Sequence, residues 1–551
     1  MKRILLFLFA PVAFAQFPAD RVYPWSAGTN VGIVGGIVRR DTIYTNMTGL
    51  DSTGASNVAE DIQAAITACP SNQVVLLPAG TFRLDTAINV DHSQDGVTLR
   101  GAGMGQTVLM CYQSSGYGAI ELGTSDYPGP PPTINITSGA TAGSTNVVCD
   151  STSGVIVGGI VRIGQISPDY VFNTGPGTNL QFSVHFVLST NASEMSFRPA
   201  LPLTLTNSPH VAKYTQLLRG VSIEDVTVNL SGASVAAIFG YQVAESWFDN
   251  IEITGSTTRQ MWFYYLVGSE IRNCYTHSTR TSGPGHEGID LSVGSCWNLV
   301  ENNVAISGGY PAIILGDGSG GCVGNVVAYN WADHIDSGST VSGAAFSVNH
   351  GPHNMFNLFE GNIGEMFQSD GYFGSASHNT LFRNNFTGTF ASSNIWQRAV
   401  DLCRWSYYFN AAANVLGSTN QAFTYSTTTN VFNDPLIYRF GFPNMGNMGY
   451  TGANPPTTNW AGLDAKVEET VLLVANYDYA TAGIVNPTND IPASYYRSSA
   501  PSFMTGYNWP AIGSDITPMV SRIPAQDRFT GGTVFCANYR CFKTRREPTP
   551  D

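Results

Sequence analysis

A short pattern with asparagine near its centre returns along the middle of the chain, and few folds can accommodate it. Its fixed position is Asp225, Asn250, Cys274, Asn303, Asn330, Asn362, Asn385 and Asn414, at spacings of 25, 24, 29, 27, 32, 23 and 29 residues. Asn tolerates a left-handed turn, and its amide can hydrogen-bond the same group one level above and below. Levels stacked about 4.8 Å apart would carry an internal Asn ladder at a sharp corner. Uneven spacing fits a coil whose turns grow loops on one side, whereas a propeller demands about 40 residues per blade. The following residue is Val226, Ile251, Tyr275, Val304, Trp331, Ile363, Phe386 or Val415, always large or apolar, as a column stacked in a core requires. The pattern predicts an all-β chain: a single-stranded right-handed parallel β-helix, a solenoid.

Composition fits short strands and tight turns, with 58 Gly, 29 Pro and 12% charged residues. A net charge of −13 argues against a nucleic-acid partner, which needs a basic face. Past the first turns of sequence, lysine occurs only at Lys213, Lys466 and Lys543. The start carries Lys2 and Arg3, an apolar run from Ile4 to Phe14 and a small-residue end at Ala15. It reads as a secretory signal peptide, and no later stretch reaches the roughly 18 to 20 apolar residues of a membrane helix. A secreted chain with no membrane partner, acting as a monomer, is expected. The nine cysteines are too sparse for a disulfide scaffold and none has metal-finger spacing; Cys536 and Cys541 read as one pair.

Asn57 followed by Glu60 predicts a helix cap, and Val58, Ile62, Ala65 and Ile66 share one helical face that ends at Pro70. Such a helix can plug the open end of a coil. The stretch SNVAEDIQAAITAC followed by QVVLLPAGTFRL resembles the N-terminal signature of the pectate-lyase and glycosyl-hydrolase β-helix superfamily. The expected organisation is a signal peptide over 1–15, a parallel β-helix with its capping helix over 16–415, and a C-terminal cap or tail over 416–551 packed on the coil.

Thirteen residues before the ladder lie Met261, Asp290, Asp317, Asn349, Tyr372 and Asp401, polar from Asp290 onward. Strand alternation puts their neighbours inside, among them Ile289 and Leu291, Val348 and His350, Val400 and Leu402, and the polar stripe outside. Loops rich in His277, Arg280, His286 and Glu287, then Asp333, His334 and Asp336, then Glu365 and Asp370, would wall the same groove, where crowded carboxylates push their pKa values apart. Asp290, Asp317 and Asn349-His350-Gly351 on successive levels are similar to the polygalacturonase order of Asp, Asp and Gly-His-Gly. That resemblance implies a glycoside hydrolase with the aspartates as general acid and base and His350 assisting; by carboxylate spacing along the levels, Asp333 or Glu287 could replace one of the pair. Asn349, Tyr372, Asp401, His334, Arg280 and Tyr310 would hold the polysaccharide. Here the family's paired Asp-Asp is Asp317-Gly318, and its Arg-x-Lys carboxylate clamp has no counterpart. No cofactor or metal is then required.

Two other classes fit the same groove. A polysaccharide lyase would abstract the proton beside a uronate carboxylate with Arg280, Arg383 or His334, and only such an elimination would draw in Ca²⁺ on the Asp cluster. Trp331-Ala332-Asp333-His334 is similar to the Trp-Ile-Asp-His stretch of pectate lyases, although strand parity with Trp331 would turn Asp333 inward. A non-catalytic glycan-binding surface would use aromatics such as Tyr264, Tyr310 and Tyr372.

Overall fold

The computed structural model describes residues 17–123, 133–171, 179–277, 286–307, 311–316, 320–334, 344–389, 397–428, 435–443 and 463–530, with Ser307, Asp333, His334 and Thr530 described in backbone only. The expected signal peptide and the Cys536–Cys541 pair lie outside these residues. The seven described cysteines are free thiols, all buried. Among the described residues no helix is long and apolar enough to cross a membrane.

The chain forms a parallel β-helix. One level runs Ile313–Leu315, Val326–Ala328 and Trp331–His334 before Phe346–Val348 starts the next. These segments build three faces, a front, a floor and a back, and each strand pairs in parallel with its counterpart one level on. Alternation sends Ile313, Leu315, Val327 and Ala332 into the coil, where they join Phe346, Phe359, Phe367 and Phe386 in one continuous core. Phe359 and Phe367 meet edge to face at 4.9 Å.

The predicted ladder exists, and its register differs from the counted one. Asn303, Asn330, Asn362, Asn384, Asn414 and Asn476 line the corner between floor and back, each passing a side-chain hydrogen bond to the next at 2.8 to 3.0 Å. The ladder member near residue 385 is therefore Asn384. Asp225 and Asn250 belong to the neighbouring column, which is left-handed throughout: Asp225 φ 57, Asn250 φ 60, Asn302 φ 56, Tyr329 φ 54 and Gly361 φ 68. That half of the chemistry requires the αL turn and the other half the internal amide, and the two needs fall on successive residues. A second ladder, Asn298, Asn325, Asn357 and Asn379, runs up the corner between front and floor at 2.9 to 3.0 Å. Ser246 and Ser269 continue it toward the N terminus.

The column after the first ladder was expected in the core. Val226, Ile251 and Phe386 are there, whereas Val304, Trp331, Ile363 and Val415 face outward into a separate apolar layer. That layer exists because the C-terminal segment covers the coil: Val326, Ala328, Leu358 and Phe382 pack against Tyr495, Tyr496 and Phe503.

The helix Ala59–Ala68 buries Ala59, Ile62 and Ile66. Its N-cap is Val58, one residue past the expected Asn57, whose Oδ1 still accepts the Ala59 N–H at 3.2 Å. Gln63 bonds both main-chain groups of Asn89 and so shields the outermost strand of the front sheet, Ile88–Val90.

Two domain boundaries move. Thr133–Ser138, Asn146–Cys149, Ile160–Gln165, Gln181–Thr190, Glu194–Arg198 and His210–Lys213 close into an antiparallel barrel with its own core of Val147, Ile163, Phe197 and Val211. It is inserted into the coil, upstream of the first repeat that the spacing could detect. The coil also continues past 415, through Leu436–Phe440, Leu472–Val474 and Asn476–Asp478, and ends where Gly483–Val485 pairs antiparallel to its last strand. The 62-residue step from Asn414 to Asn476 hid that level from a search for periods near 27. The rest runs back along the coil and is tied by Arg497 to Glu301 and by Arg383 to Asp515.

Candidate active site

The front sheet sets the site. Its outward row reads Phe239, Trp262, Asp290, Ile314, Ser347, Gln368, Asp401 and Arg439 by strand register. The stripe counted back from the ladder does not survive as a row: Met261 points into the core, and Asp290 stands opposite Trp262 and Ile314. Counting failed because the corner between front and floor is two or three residues longer at the levels of Ile314, Ser347 and Gln368. The register partner of Asp290 at the next level is therefore Ile314, not the residue the count selected.

Asp290 is fully buried and receives Arg259 Nε at 2.7 Å and Ser292 Oγ at 2.8 Å. The same Arg259 nitrogen lies 3.2 Å from Glu287, also buried, while its guanidinium covers the Trp262 ring at 4.6 Å. Asp401 is sealed among Arg398 at 3.0 Å, Arg439 at 3.2 Å and Gln368 at 3.2 Å. Burial pushes the Asp401 carboxyl up, but Arg439 and Arg398 outweigh it and hold the carboxyl below its ordinary value. All three carboxylates are buried within the packing of the sheet.

Two levels of the sheet bring a titratable pair together just beneath the surface. His350 Nδ1 lies 2.6 Å from Asp370 Oδ2, with the side chains 16% and 8% exposed. Asn349, at φ 83, ends the strand Phe346–Val348 and breaks the alternation that would have turned His350 inward. Its amide donates to the Asp370 carbonyl at 2.7 Å and the Gly374 carbonyl at 2.8 Å, so this buried residue ties the two loops together. Tyr372 donates its main-chain N–H to Asp370 Oδ1 at 2.8 Å, and its ring lies 5.5 Å from that of His350. Phe373 meets the imidazole edge-on at 4.8 Å. The imidazole thus presents Nδ1 to the Asp370 carboxyl. Asp370 appeared in the sequence only as part of an acidic loop wall; its place one level above His350 was the signal that could have joined them.

On the same sheet, at earlier levels, Tyr117, Phe239, Trp262 and Tyr264 form an aromatic platform. Tyr117 is 50% exposed and stacks on Phe239 at 4.8 Å, and Trp262 lies 5.3 Å from Tyr264. Of the other expected residues, Asp317, Arg280 and Tyr310 lie outside the described residues. Asp333 and His334 belong to a described strand, with Ile306 and Ser307 as register partners, but their side chains lie outside the description. The parity argument for Asp333 loses its premise, since Trp331 faces outward and Ala332 is the core residue. Arg383 does not reach the groove: it is buried under the tail, bidentate to Asp515. Among the described residues no group of three or more His, Cys, Asp or Glu side chains is placed to hold a metal ion.

The model of the family described as Rhamnogalacturonase A/epimerase, pectate lyase-like, matches residues 45–276, and over that span the superfamily resemblance is shown. No curated protein sequence matches the chain. Among solved structures it is similar to a tailspike of Pseudomonas phage phi297, at TM-score 0.42 and 13% identity, covering 73% of this chain and 81% of that one. The A-module of an Azotobacter vinelandii mannuronan C-5 epimerase gives 0.37 and 14%, covering 72% and 94%. An alginate lyase from a Paenibacillus species gives 0.38 and 13%, covering 71% and 99%.

Proposed function

We propose that the chain is a carbohydrate-active enzyme that works outside the cytoplasm, on a polysaccharide laid along the front sheet, with His350 as the proton-transferring group. The observation that carries this reading is the His350–Asp370 pair on the sheet that also bears the aromatic platform. Trp262 and Ser347, the strand residue three before His350, are three levels apart, about 14 Å along the coil, and the platform offers ring faces on which sugars can stack.

Elimination at a uronate unit fits this pair best. His350 Nε2 takes the proton on the carbon beside the carboxylate, the electron pair becomes a carbon–carbon double bond, and the glycosidic C–O bond at the next carbon breaks. The proton returns to the leaving oxygen. Elimination needs one positioned base and a group that neutralises the uronate carboxylate, whereas hydrolysis requires two carboxylates in the groove, and among the described residues Asp290, Glu287 and Asp401 are sealed. Hydrolysis is the second reading because Asp317 follows Gly316, which packs against Asn354 in the same loop system as His350. Incubation with uronate and neutral polysaccharides, with and without a chelator, separates the readings. Ultraviolet absorbance of an unsaturated product supports elimination; new reducing ends without it support hydrolysis and overturn elimination. His350→Asn should cost about 10²- to 10⁴-fold in rate at unchanged thermal stability. Full activity in that variant would remove His350 from the mechanism.

A further inference from the structure

We infer that the back of the coil carries a second saccharide site, shaped for an uncharged, hydroxyl-rich sugar and separate from the front-sheet pair. The sugar class rests on the carbohydrate reading above; the cavity and its chemistry do not. A cavity of about 480 Å³ opens there, lined by Trp331, Ile363, Glu365, Thr387, Gln397 and Gln421 among others. That volume falls within the roughly 300 to 1,000 Å³ of small-molecule sites. Parallel register puts Trp331 beside Ile363, giving one apolar wall. The indole is braced from outside by Phe529 of the helix Pro524–Thr530, ring centroids 4.0 Å apart and nearly parallel, so the wall is held rigid by the returning tail.

The other lining groups are amides, hydroxyls and one carboxylate. Gln421 Nε2 is a buried donor with no hydrogen-bond partner among the described residues. An unmet buried donor is destabilising, and a ligand oxygen would relieve it. Glu365 brings acceptors that suit adjacent hydroxyls, and Gln397 brings both donor and acceptor. No cationic side chain is among the described lining residues, so a uronate carboxylate would find no counter-charge beside Glu365. Apolar wall, amides and a single acceptor together select a neutral ring. The site is distinct from the front pair: Gln397 precedes the strand Arg398–Leu402, while His350 and Asp370 follow the far ends of neighbouring strands, roughly 20 Å away.

The test uses the full-length protein and calorimetric titration with three neutral trisaccharides, of glucose, mannose and galactose, and with trigalacturonate as the charged control. At least one neutral trisaccharide should bind wild type and His350→Asn equally. Trp331→Ala and Gln421→Ala should each weaken that binding tenfold or more, and Gln421→Ala should leave thermal stability and front-sheet activity unchanged. Absence of neutral binding, tighter binding of trigalacturonate, or binding that survives Gln421→Ala would overturn the inference. A protein that processes no polysaccharide yet loses neutral binding in Gln421→Ala would refute the front-sheet reading and keep this one.

Discussion

His350 and His353 stand three residues apart and meet opposite environments. His350 is held just beneath the surface by Asp370, while His353 is buried between Ser375 Oγ at 2.9 Å and Ser377 Oγ at 2.7 Å. Burial pushes His353 down to about 3 from 6.5, and His378 down to about 3 with added repulsion from His353 and Arg21. Each folded-state value is depressed, so the unfolded chain binds the extra proton first. Stability is therefore full above pH 6.5 and falls as pH drops toward 3, by roughly a few kcal/mol for each residue. Denaturant titrations between pH 7 and 4 should show that fall, and His353→Gln should flatten it; an unchanged slope would mean that acid acts elsewhere. Asp290→Asn offers the complementary contrast to the His350 variant. It weakens the hold on Arg259 in a sealed site and should lower the melting temperature while the rate per folded molecule changes little.

The ladders show what an element demands of its residues. Each interior Asn offers its carbonyl to a main-chain N–H and its amide to the next Asn, so a missing member orphans groups on two levels. Loss of one should cost about 1–3 kcal/mol per orphaned group. Asn384→Ala should accordingly destabilise by several kcal/mol. Asn385→Ala, which forfeits a single bond to the Val415 carbonyl, should cost about 1 kcal/mol by the same measurement. Equal losses would contradict the assigned register. The second ladder was legible in principle, because Asn298, Asn325, Asn357 and Asn379 each sit five residues before a member of the first. A search tuned to one motif passes over a second at fixed offset. The barrel was less legible, since antiparallel strands from 133 to 213 share neither the period nor the corner residues of the coil.

At the scale of the molecule, two returning segments strap the coil. The N-terminal arm bonds Phe409 through Arg21, Phe356 through Trp25 and Trp297 through Gly32, running from late levels to early ones. The C-terminal tail buries Glu301 against Tyr496 and Arg497, and offers the Tyr495 N–H to Glu360 at 2.9 Å. Arg497→Ala leaves Glu301 with Arg272 and the Tyr496 hydroxyl and should cost about 3–5 kcal/mol, read as a lower melting temperature and earlier proteolysis of the tail. Glu360 makes the strap sensitive to pH. Burial raises its carboxyl to about 7 from 4.5, despite bonds from Ser494 and Tyr495 that oppose the shift. The folded state keeps a proton that the unfolded state has lost, so this contribution is full below pH 4.5 and disappears as pH rises through 7. Glu360→Gln should make tail proteolysis independent of pH between 5 and 8.

The amino-acid order alone determined the coil. A corner that needs a left-handed residue and then a hydrogen-bonding amide can be satisfied repeatedly only by a chain that stacks on itself, and Asn303, Asn330, Asn362 and Asn414 announce it. Tertiary structure decided which polar residues meet solvent. Register on the front sheet depends on corner lengths that periodicity does not encode, so Asp290 fell opposite Ile314. Burial depends on what covers each face, so Asp401 vanished under Arg398 and Arg439 while Trp331, placed by parity in the core, came to line an open cavity on the back.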